Sequence, residues 1–250
     1  MGISIRQNKY KKYKFMKKSR KLRRHLPDTK KMTKKTLMDF LKEYRDIILK
    51  PMGGKRGRGV IRVSEVNRDR YEIHYEYMKE IVEENERLYD AVNRYIGNRR
   101  YIVQRRIPLA TIKGRPFDIR VIVQRISKLH PWKVTGKAVK VAGEGYIVTN
   151  IERSKGTVLP FRRAIRKSSL KNASSTVLGS KMNKVAIRAA TRLSKLFKEK
   201  YIYGFDMGLS SRGRVWIIEA NLSPMLSHFK KMDNKRMYRR ILRYRRLILK

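Results

Sequence analysis

The sequence predicts an α+β protein built on antiparallel sheets. Three observations carry that expectation: a run of short β-branched and aromatic segments over 101–149, amphipathic segments of helical period on either side of it, and 41% apolar residues in a chain of 250, enough for a sizeable core. In order, Leu37, Phe40, Leu41 and Tyr44 fall at i, i+3, i+4 and i+7 behind a Thr33 cap, which predicts a helix over 33–45. DIILKP at 46–51 reads as a strand and GVIRV at 59–63 as its hairpin partner across a glycine-rich connection. Residues 78–96 carry Met78, Ile81, Val82, Leu88, Val92 and Ile96 at near-helical spacing, with a cluster of acids for the solvent side. The segments 101–107, 117–126, 132–142 and 146–149 are β-branched and aromatic, several alternate, and together they predict the antiparallel sheet. A second amphipathic helix is predicted over 182–197, through Val185, Ala189, Leu193, Leu196 and Phe197. GRVWIIEA at 213–220 then reads as a strand entered through the SSRG turn and paired with the segment that carries Asp206.

Lys and Arg number 65 against 20 Asp and Glu, a formal charge of +45, so the surface attracts polyanions. Nucleic acid, an anionic membrane, another anionic polymer and nucleotide phosphate are all candidate partners. The surplus is concentrated at the ends, with fifteen basic residues and one acid over 1–35 and ten and one over 226–250. Such runs read equally well as solvated extensions and as anion-binding patches. At the C-terminus, Met237, Ile241, Tyr244 and Ile248 form an apolar stripe opposite arginines, for packing onto the body or for a nucleic-acid or membrane surface. The absence of cysteine excludes disulfides, thiolate metal sites and cysteine nucleophiles. His25, His74, His130 and His228 show no metal-ligand spacing. No apolar run has signal-peptide length or approaches the roughly 18 residues of a membrane span, so the chain is expected to be soluble and cytoplasmic.

Two stretches carry chemistry. Asp206 in YGFDMG is followed by Glu219 and Asn221 in WIIEANLSPMLSH. Glu219 and Asn221 alternate at a strand-to-loop junction and face one side, and a hairpin would set Asp206 on the neighbouring strand. Three oxygen ligands of this kind suit a hard cation such as Mg2+, which is usually held by one or two carboxylates plus substrate phosphates. The alternative is an ion pair between Glu219 and a nearby arginine. Upstream, Lys50 ends a strand just before Gly53, Gly54, Gly57 and Gly59, which are interleaved with Lys55, Arg56 and Arg58. Glycines let backbone N–H groups turn toward an anion while the cations add charge, which makes a phosphate clamp; the alternative is an exposed flexible turn. The loop is not a Walker A loop, whose residue order it lacks.

Glycine loop, strand lysine and D…E-x-N triad, in this order, resemble the ATP-grasp superfamily. The metal strand is similar to that of D-alanine:D-alanine ligase. The resemblance is closer to the endospore-coat-associated YheC/YheD-like group, through HLPDT (25–29), ILKPMGGKRGRGVI (48–61), YIVQRRIPLATIKGRPFDIRVIVQ (101–124), VTGKAVKVAGEGYIVTN (134–150) and GFDMG with WIIEANLSP. It implies an ATP-grasp fold, two α+β subdomains whose antiparallel sheets grip ATP between them. The small subdomain would span 26–104 and the large one 105–229, between a basic extension at 1–25 and a basic helix at 230–250. The resemblance further implies that Lys50 contacts the nucleotide phosphates and that the loop from Gly53 and Gly54 to Gly57 and Gly59 closes over them. Gln104, Arg105, Arg106 and Ile107 would line the adenine, with backbone groups making the base contacts. Asp118 would be the family's ribose-side or ATP-contacting acid, Arg120 would lie near the transferred phosphoryl group, and Asn150 near the phosphates and metal. Asp206, Glu219 and Asn221 would hold one or two Mg2+ ions, or Mn2+. D-alanine ligases place an arginine two residues before the first metal acid, where this chain has Gly204, and Arg120 is the candidate substitute. Lys9 or Lys12 matches a second phosphate-contacting lysine of the family.

The implied activity is an ATP- and Mg-dependent ligation. A carboxylate attacks the γ-phosphate to give an acylphosphate and ADP, and an amine or thiol then displaces phosphate. Such chemistry needs alignment and charge neutralisation more than an acid–base residue. The setting implied is sporulation or the spore coat, and an acidic acceptor would make the positive charge functional. The rival is a basic, spore-associated or polyanion-binding protein that keeps the fold without ligase activity.

Overall fold

The computed structural model describes residues 4–6, 8–54, 57–146 and 156–248. The chain divides into two compact units. One comprises Met1–Tyr13, Pro27–Ile107 and Gly145–Val148, the other Lys14–Leu26, Pro108–Glu144 and Thr149–Lys250.

Among the described residues, the first unit is a six-stranded antiparallel sheet with two whole helices and the first part of a third. Its strands are β1 (Thr29–Lys31), β2 (Asp46–Pro51), β3 (Ile61–Asn67), β4 (Arg70–Tyr75), β5 (Met78–Glu83) and β6 (Tyr101–Arg105), in the order β1-β6-β2-β3-β4-β5. Helix α3 (Lys34–Tyr44), which follows α1 (Lys9–Lys17) and α2 (Arg20–Arg23) in the chain, begins at a capping box. The Thr36 amide donates to Thr33 Oγ1 at 3.1 Å, and the Thr33 amide donates to Thr36 Oγ1 at 2.9 Å. It ends where Arg45 turns left-handed at φ 57° and its amide donates to the Leu41 carbonyl. Leu37, Phe40 and Leu41 pack into one core with Ile47, Leu49, Ile61, Val63 and Val103 of the sheet.

The helix expected over 78–96 is in fact two elements. Strand β5 pairs antiparallel with β4, and only then does α4 (Asn85–Ile96) begin, beyond Glu84 at φ 73°. Met78 and Ile81, which set the helical period, are solvent-exposed, and Val82 alone of this strand is buried, paired with Tyr71. Their spacing mimicked a helical stripe without a buried face behind it.

The second unit holds β7 (Thr111–Ile112), β8 (Arg115–Gln124), β9 (Lys133–Val141), β10 (Thr157–Pro160), β11 (Ile202–Leu209) and β12 (Val215–Asn221), in the order β10-β9-β8-β11-β12 with β7 on β8. The predicted strand at 146–149 lies, from 147 on, outside the described residues. Helices α5 (Phe161–Arg166), α6 (Ser175–Ser194), α7 (Ser227–Lys230) and α8 (Arg236–Ile248), with α2 and the end of α1, complete it among the described residues. Ser174 caps α6, which buries Leu178, Met182, Val185, Ala186, Ala189 and Leu193. Phe229, Met232 and Ile241, from α7 to α8, pack on Ile122 of β8 and Ala138 of β9. Ile122 lies two residues from Arg120, and Ala138 pairs with Arg120, so α7 and α8 cover the sheet face that carries Arg120. The basic N-terminal segment is helical too, and Met16 and Leu22 are buried. Each basic terminus therefore carries apolar residues that anchor it.

Candidate functional site

Strand register builds a charged cluster in the second unit. Asp206 on β11 is opposite Arg120 of β8 on one side and Glu219 of β12 on the other, and Asp118 of β8 is opposite Lys140 of β9. A bulge follows at Asp206/Met207, where β12 spends one extra residue and turns Glu219 and Asn221 relative to the rest of the strand. The sequence-based pairing of Asp206 with Glu219 is what the register contains.

Asp206 accepts a two-pronged bond from Arg120, Nε to Oδ1 at 2.9 Å and Nη2 to Oδ2 at 3.0 Å. Lys140 Nζ donates to Asp206 Oδ1 at 2.9 Å and sits 2.8 Å from Asp118 Oδ1, while Asn221 Nδ2 donates to Asp206 Oδ2 at 3.2 Å. Asp118, Arg120, Lys140 and Asp206 are all buried, and Glu219 and Asn221 are half-buried. Two cations and two carboxylates thus balance in a dry place, where each depends on the others for its charge. Burial pushes the Asp206 carboxyl up, but Arg120 and Lys140 overcome it and hold it well below the ordinary carboxylate range. Burial works equally against Lys140, yet Asp118 and Asp206 keep its ammonium charged. Gly204 lets Pro224 pack close to the strand beside Arg120. A Cβ at Gly204 would come within 2.4 Å of Pro224 Cβ and 3.5 Å of Arg120 Cδ, so the Arg120 stem lies beside the position that carries an arginine in D-alanine ligases.

His228, on α7, is buried beside the same cluster. Burial, then the positive charges of Lys140 and Arg120, lower its pKa from 6.5 to about 4. Between these two values the unfolded chain binds a proton that the folded chain excludes, so stability falls as pH drops from 6.5 toward 4. The full loss is on the order of 3 kcal/mol. Urea midpoints at pH 7 and near pH 4.5, in chelator, are expected to differ less in His228→Gln than in the native sequence. An equal difference would remove His228 as a source of acid sensitivity.

For a divalent ion, the donor set is hard oxygen: Glu219 across the ladder, Asn221 through Oδ1, and the Asp206 carboxylate only when it gives up one of the bonds with which Arg120, Lys140 and Asn221 fill both its oxygens. Among the described residues no group of three or more His, Asp or Glu is placed to hold a metal. Two carboxylates and an amide fit Mg2+ when phosphate oxygens complete its shell, and fit poorly as a closed protein cage.

In the first unit, Lys50 Nζ donates to Gln104 Oε1 at 2.7 Å, Gln104 Nε2 to Thr29 Oγ1 at 2.8 Å, and Thr29 Oγ1 to the Pro27 carbonyl at 2.9 Å. This relay fixes the ammonium at the end of β2. The Gly53 and Gly54 carbonyls accept from Lys9 Nζ at 3.2 and 3.0 Å, and Lys12 is buried. Gly59 stands at φ +74°, with its carbonyl bonded by the Tyr101 hydroxyl at 2.8 Å. A Cβ there would lie 2.7 Å from that hydroxyl, so only glycine fits. Gly57 is also left-handed, and Lys55 and Arg56, between Gly54 and Gly57, lie outside the described residues.

Arg105 and Arg106 are engaged within the unit. The Arg105 amide donates to Asp28 and its guanidinium stacks 5.1 Å over Tyr44, while Arg106 donates from its amide to the Asp46 carbonyl and from Nη1 to Asp46 Oδ2 at 2.6 Å. Ile107 is buried directly after them. Asn150 lies outside the described residues. Lys140 and His228 are the site residues that sequence reading passed over. The period-two alternation of KAVKV would have put Lys140 on the face of Ala138, but a lone lysine carries no signal in a chain with 65 basic residues.

A family model described as YheC/D-like ATP-grasp matches residues 4–248. The endospore coat-associated protein YheD of Bacillus subtilis (strain 168) is 30% identical over 131 residues, 52% of this chain and 27% of that protein. Among solved structures, N5-carboxyaminoimidazole synthase of Aspergillus clavatus in complex with ADP and 5-aminoimidazole ribonucleotide aligns with TM-score 0.54 at 12% identity over 89% of this chain and 46% of that one. Carboxyaminoimidazole ribonucleotide synthase of Aspergillus clavatus complexed with ATP aligns with TM-score 0.55 at 14% identity over 90% and 47%. The chain spans about a quarter of the length of the first and about half of the solved chains. Among the described residues, no helix is long and apolar enough to cross a membrane.

Proposed function

This chain belongs to the YheC/D-like ATP-grasp family, and on that premise we propose that it is an ATP- and Mg2+-dependent ligase that joins a carboxylate to an amine or thiol through an acylphosphate. The observation that carries the reading is the Asp206 carboxylate, ionised in a buried place and held by Arg120, Lys140 and Asn221 with Glu219 across the ladder. A structural ion pair needs one cation; here two cations converge on one acid beside a second acid, an arrangement suited to exchanging partners with phosphate oxygens. In the reaction, a substrate carboxylate oxygen bonds to the γ-phosphorus as the bond to the β-bridging oxygen breaks and ADP leaves. The amine or thiol then attacks the acyl carbon, phosphate departs and the nucleophile's proton goes to solvent.

The chain's own groups serve alignment and charge. Arg120 and Lys140 offer guanidinium and ammonium donors to the transferred phosphoryl group, where charge develops. Lys50, positioned by Gln104 and Thr29, offers its ammonium to nucleotide phosphates, and the loop of Gly53, Gly54, Gly57 and Gly59 offers backbone N–H groups. Because the Arg105 and Arg106 amides already donate internally, base recognition would fall to their carbonyls and to Ile107. Asp118 holds Lys140, and Asn150 is assigned to the phosphate region by resemblance only. Asp206, Glu219 and Asn221 would hold Mg2+, or Mn2+, which when bound screens the β- and γ-phosphates. The YheD relative's name places that protein at the endospore coat, and we extend a spore setting to this chain.

The test is Glu219→Ala, which removes a metal oxygen from a half-exposed position without emptying the buried cluster. ATP-dependent ADP release, assayed with a panel of amino acids and acidic peptides at saturating Mg2+, is expected to be abolished. Unchanged turnover would sink the assignment.

A further inference from the structure

Helix α8 has an outer surface that the ligase reading does not use. Its sequence from Arg236 to Ile248 contains six arginines, no lysine and no acid. Arg236, Arg239, Arg243 and Arg246 recur at i, i+3, i+7 and i+10, all exposed, on one ridge with axial steps of about 4.5–6 Å and a length of about 15 Å. Among the described residues, no carboxylate pairs with any of the four.

The helix is pinned by its other face. Ile241 is fully buried against Ile122, Ala138 and Phe229, the Ile241 carbonyl accepts from Gln124 Nε2 at 3.2 Å, and Arg240 Nε donates to the Thr135 carbonyl at 2.7 Å. Asn234 Oδ1 accepts from the Arg236 amide at 2.9 Å and fixes the start of the helix. The ridge is therefore a row of arginines on a helix fixed in place, turned away from the sheet face that carries Arg120 and Asp206. It is an outer surface, not a rim of the candidate active site.

We propose that this ridge docks the phosphate backbone of duplex nucleic acid without reading its sequence. Four observations favour that partner. Guanidinium groups pair with phosphate in a two-pronged geometry that lysine cannot reproduce, and this helix uses arginine throughout. A row spaced along a fixed helix axis matches a stiff polymer that carries one charge per roughly 1.7 Å of axis, whereas a flexible acidic peptide would have to be ordered on binding. Insertion into a membrane needs a free apolar face, and that face of α8 is turned onto the protein, with Ile241 buried, Met237 and Tyr238 partly buried against the same core, and Leu247 exposed at 37%. Single-strand binding needs exposed rings for stacking, and Tyr238 and Tyr244 are half-buried.

The experiment is fluorescence anisotropy of a short labelled DNA duplex of mixed sequence, titrated with the full chain across a salt series. The variant R236Q/R239Q/R243Q/R246Q is compared with a charge-matched control, K31Q/K34Q/K35Q/K42Q, whose four lysines are exposed in the first unit. The ridge variant is expected to lower the slope of log K against log salt by about 3.6, equivalent to about 150-fold less salt sensitivity between about 50 and about 200 mM; the control should lower it by under about 1. All four arginines face solvent, so the thermal melt should be unchanged, and the pair R239Q/R243Q, with about half the slope change, serves if the fourfold variant melts early. Equal losses in ridge and control variants overturn the proposal. So does equally tight, equally ridge-dependent binding of polyglutamate or of phosphatidylserine vesicles. Neither reading depends on ADP release, so this surface stands or falls apart from the ligase assignment.

Discussion

Asp206→Asn is expected to abolish ATP turnover and to destabilise the protein by about 3–5 kcal/mol, a fall in melting temperature on the order of 10 °C. The substitution keeps size and shape and removes only charge. Arg120 and Lys140, both buried, would then share the Asp118 carboxylate, and the new amide would turn donor hydrogens toward groups that can only donate. Such an uncompensated buried charge is the costly case, far beyond the value of a surface pair. Urea unfolding in chelator measures the stability and a coupled ADP assay measures the turnover. The loss of turnover should exceed what the unfolded fraction explains when the assay is run well below the melt. A destabilised variant with native turnover per folded molecule would reduce Asp206 to a structural anchor.

How far this arrangement was legible depends on which signal each residue carries. Strands β2, β6, β8, β9 and β12 stood out because their apolar residues alternate or run continuously, and β11 was inferred only as the partner of β12 across a tight turn, which brought Asp206 beside Glu219. Helix α3 was legible for a local reason, since Thr33 and Thr36 cap it within four residues of sequence. Strand β5 was not, because Met78 and Ile81 are exposed and their spacing carries no burial. The meeting of Lys140 with Asp118 depends on the register between β8 and β9, and nothing in either strand alone states that register. His228 shows the same limit from the other direction. Its lowered pKa comes from burial and from two cations supplied by β8 and β9, over 80 residues away in sequence. Sequence thus displayed most of the elements and named Arg120 through the family resemblance, while the bonds that Arg120 and Lys140 make to Asp206 come from tertiary pairing.

Lys140 is where structural and chemical roles can be separated. Lys140→Met removes a buried ammonium held between Asp118 and Asp206, and Asp118→Asn removes the matching carboxylate, each at an expected cost of about 3 kcal/mol. In the double variant the two neutral side chains face each other and Asp206 keeps its two-pronged bond with Arg120, so the costs should not add. A coupling of roughly 1–3 kcal/mol is expected in urea unfolding of the four proteins of the cycle. Turnover should behave otherwise. If Lys140 donates to the transferred phosphoryl group, the double variant regains stability while its ADP release stays at the level of Lys140→Met, because no neutral side chain replaces a charge that acts in the transition state. If turnover recovers along with stability, Lys140 serves only to hold Asp118 and Asp206 in place, and the charge that acts on phosphate must come from Arg120 and Lys50.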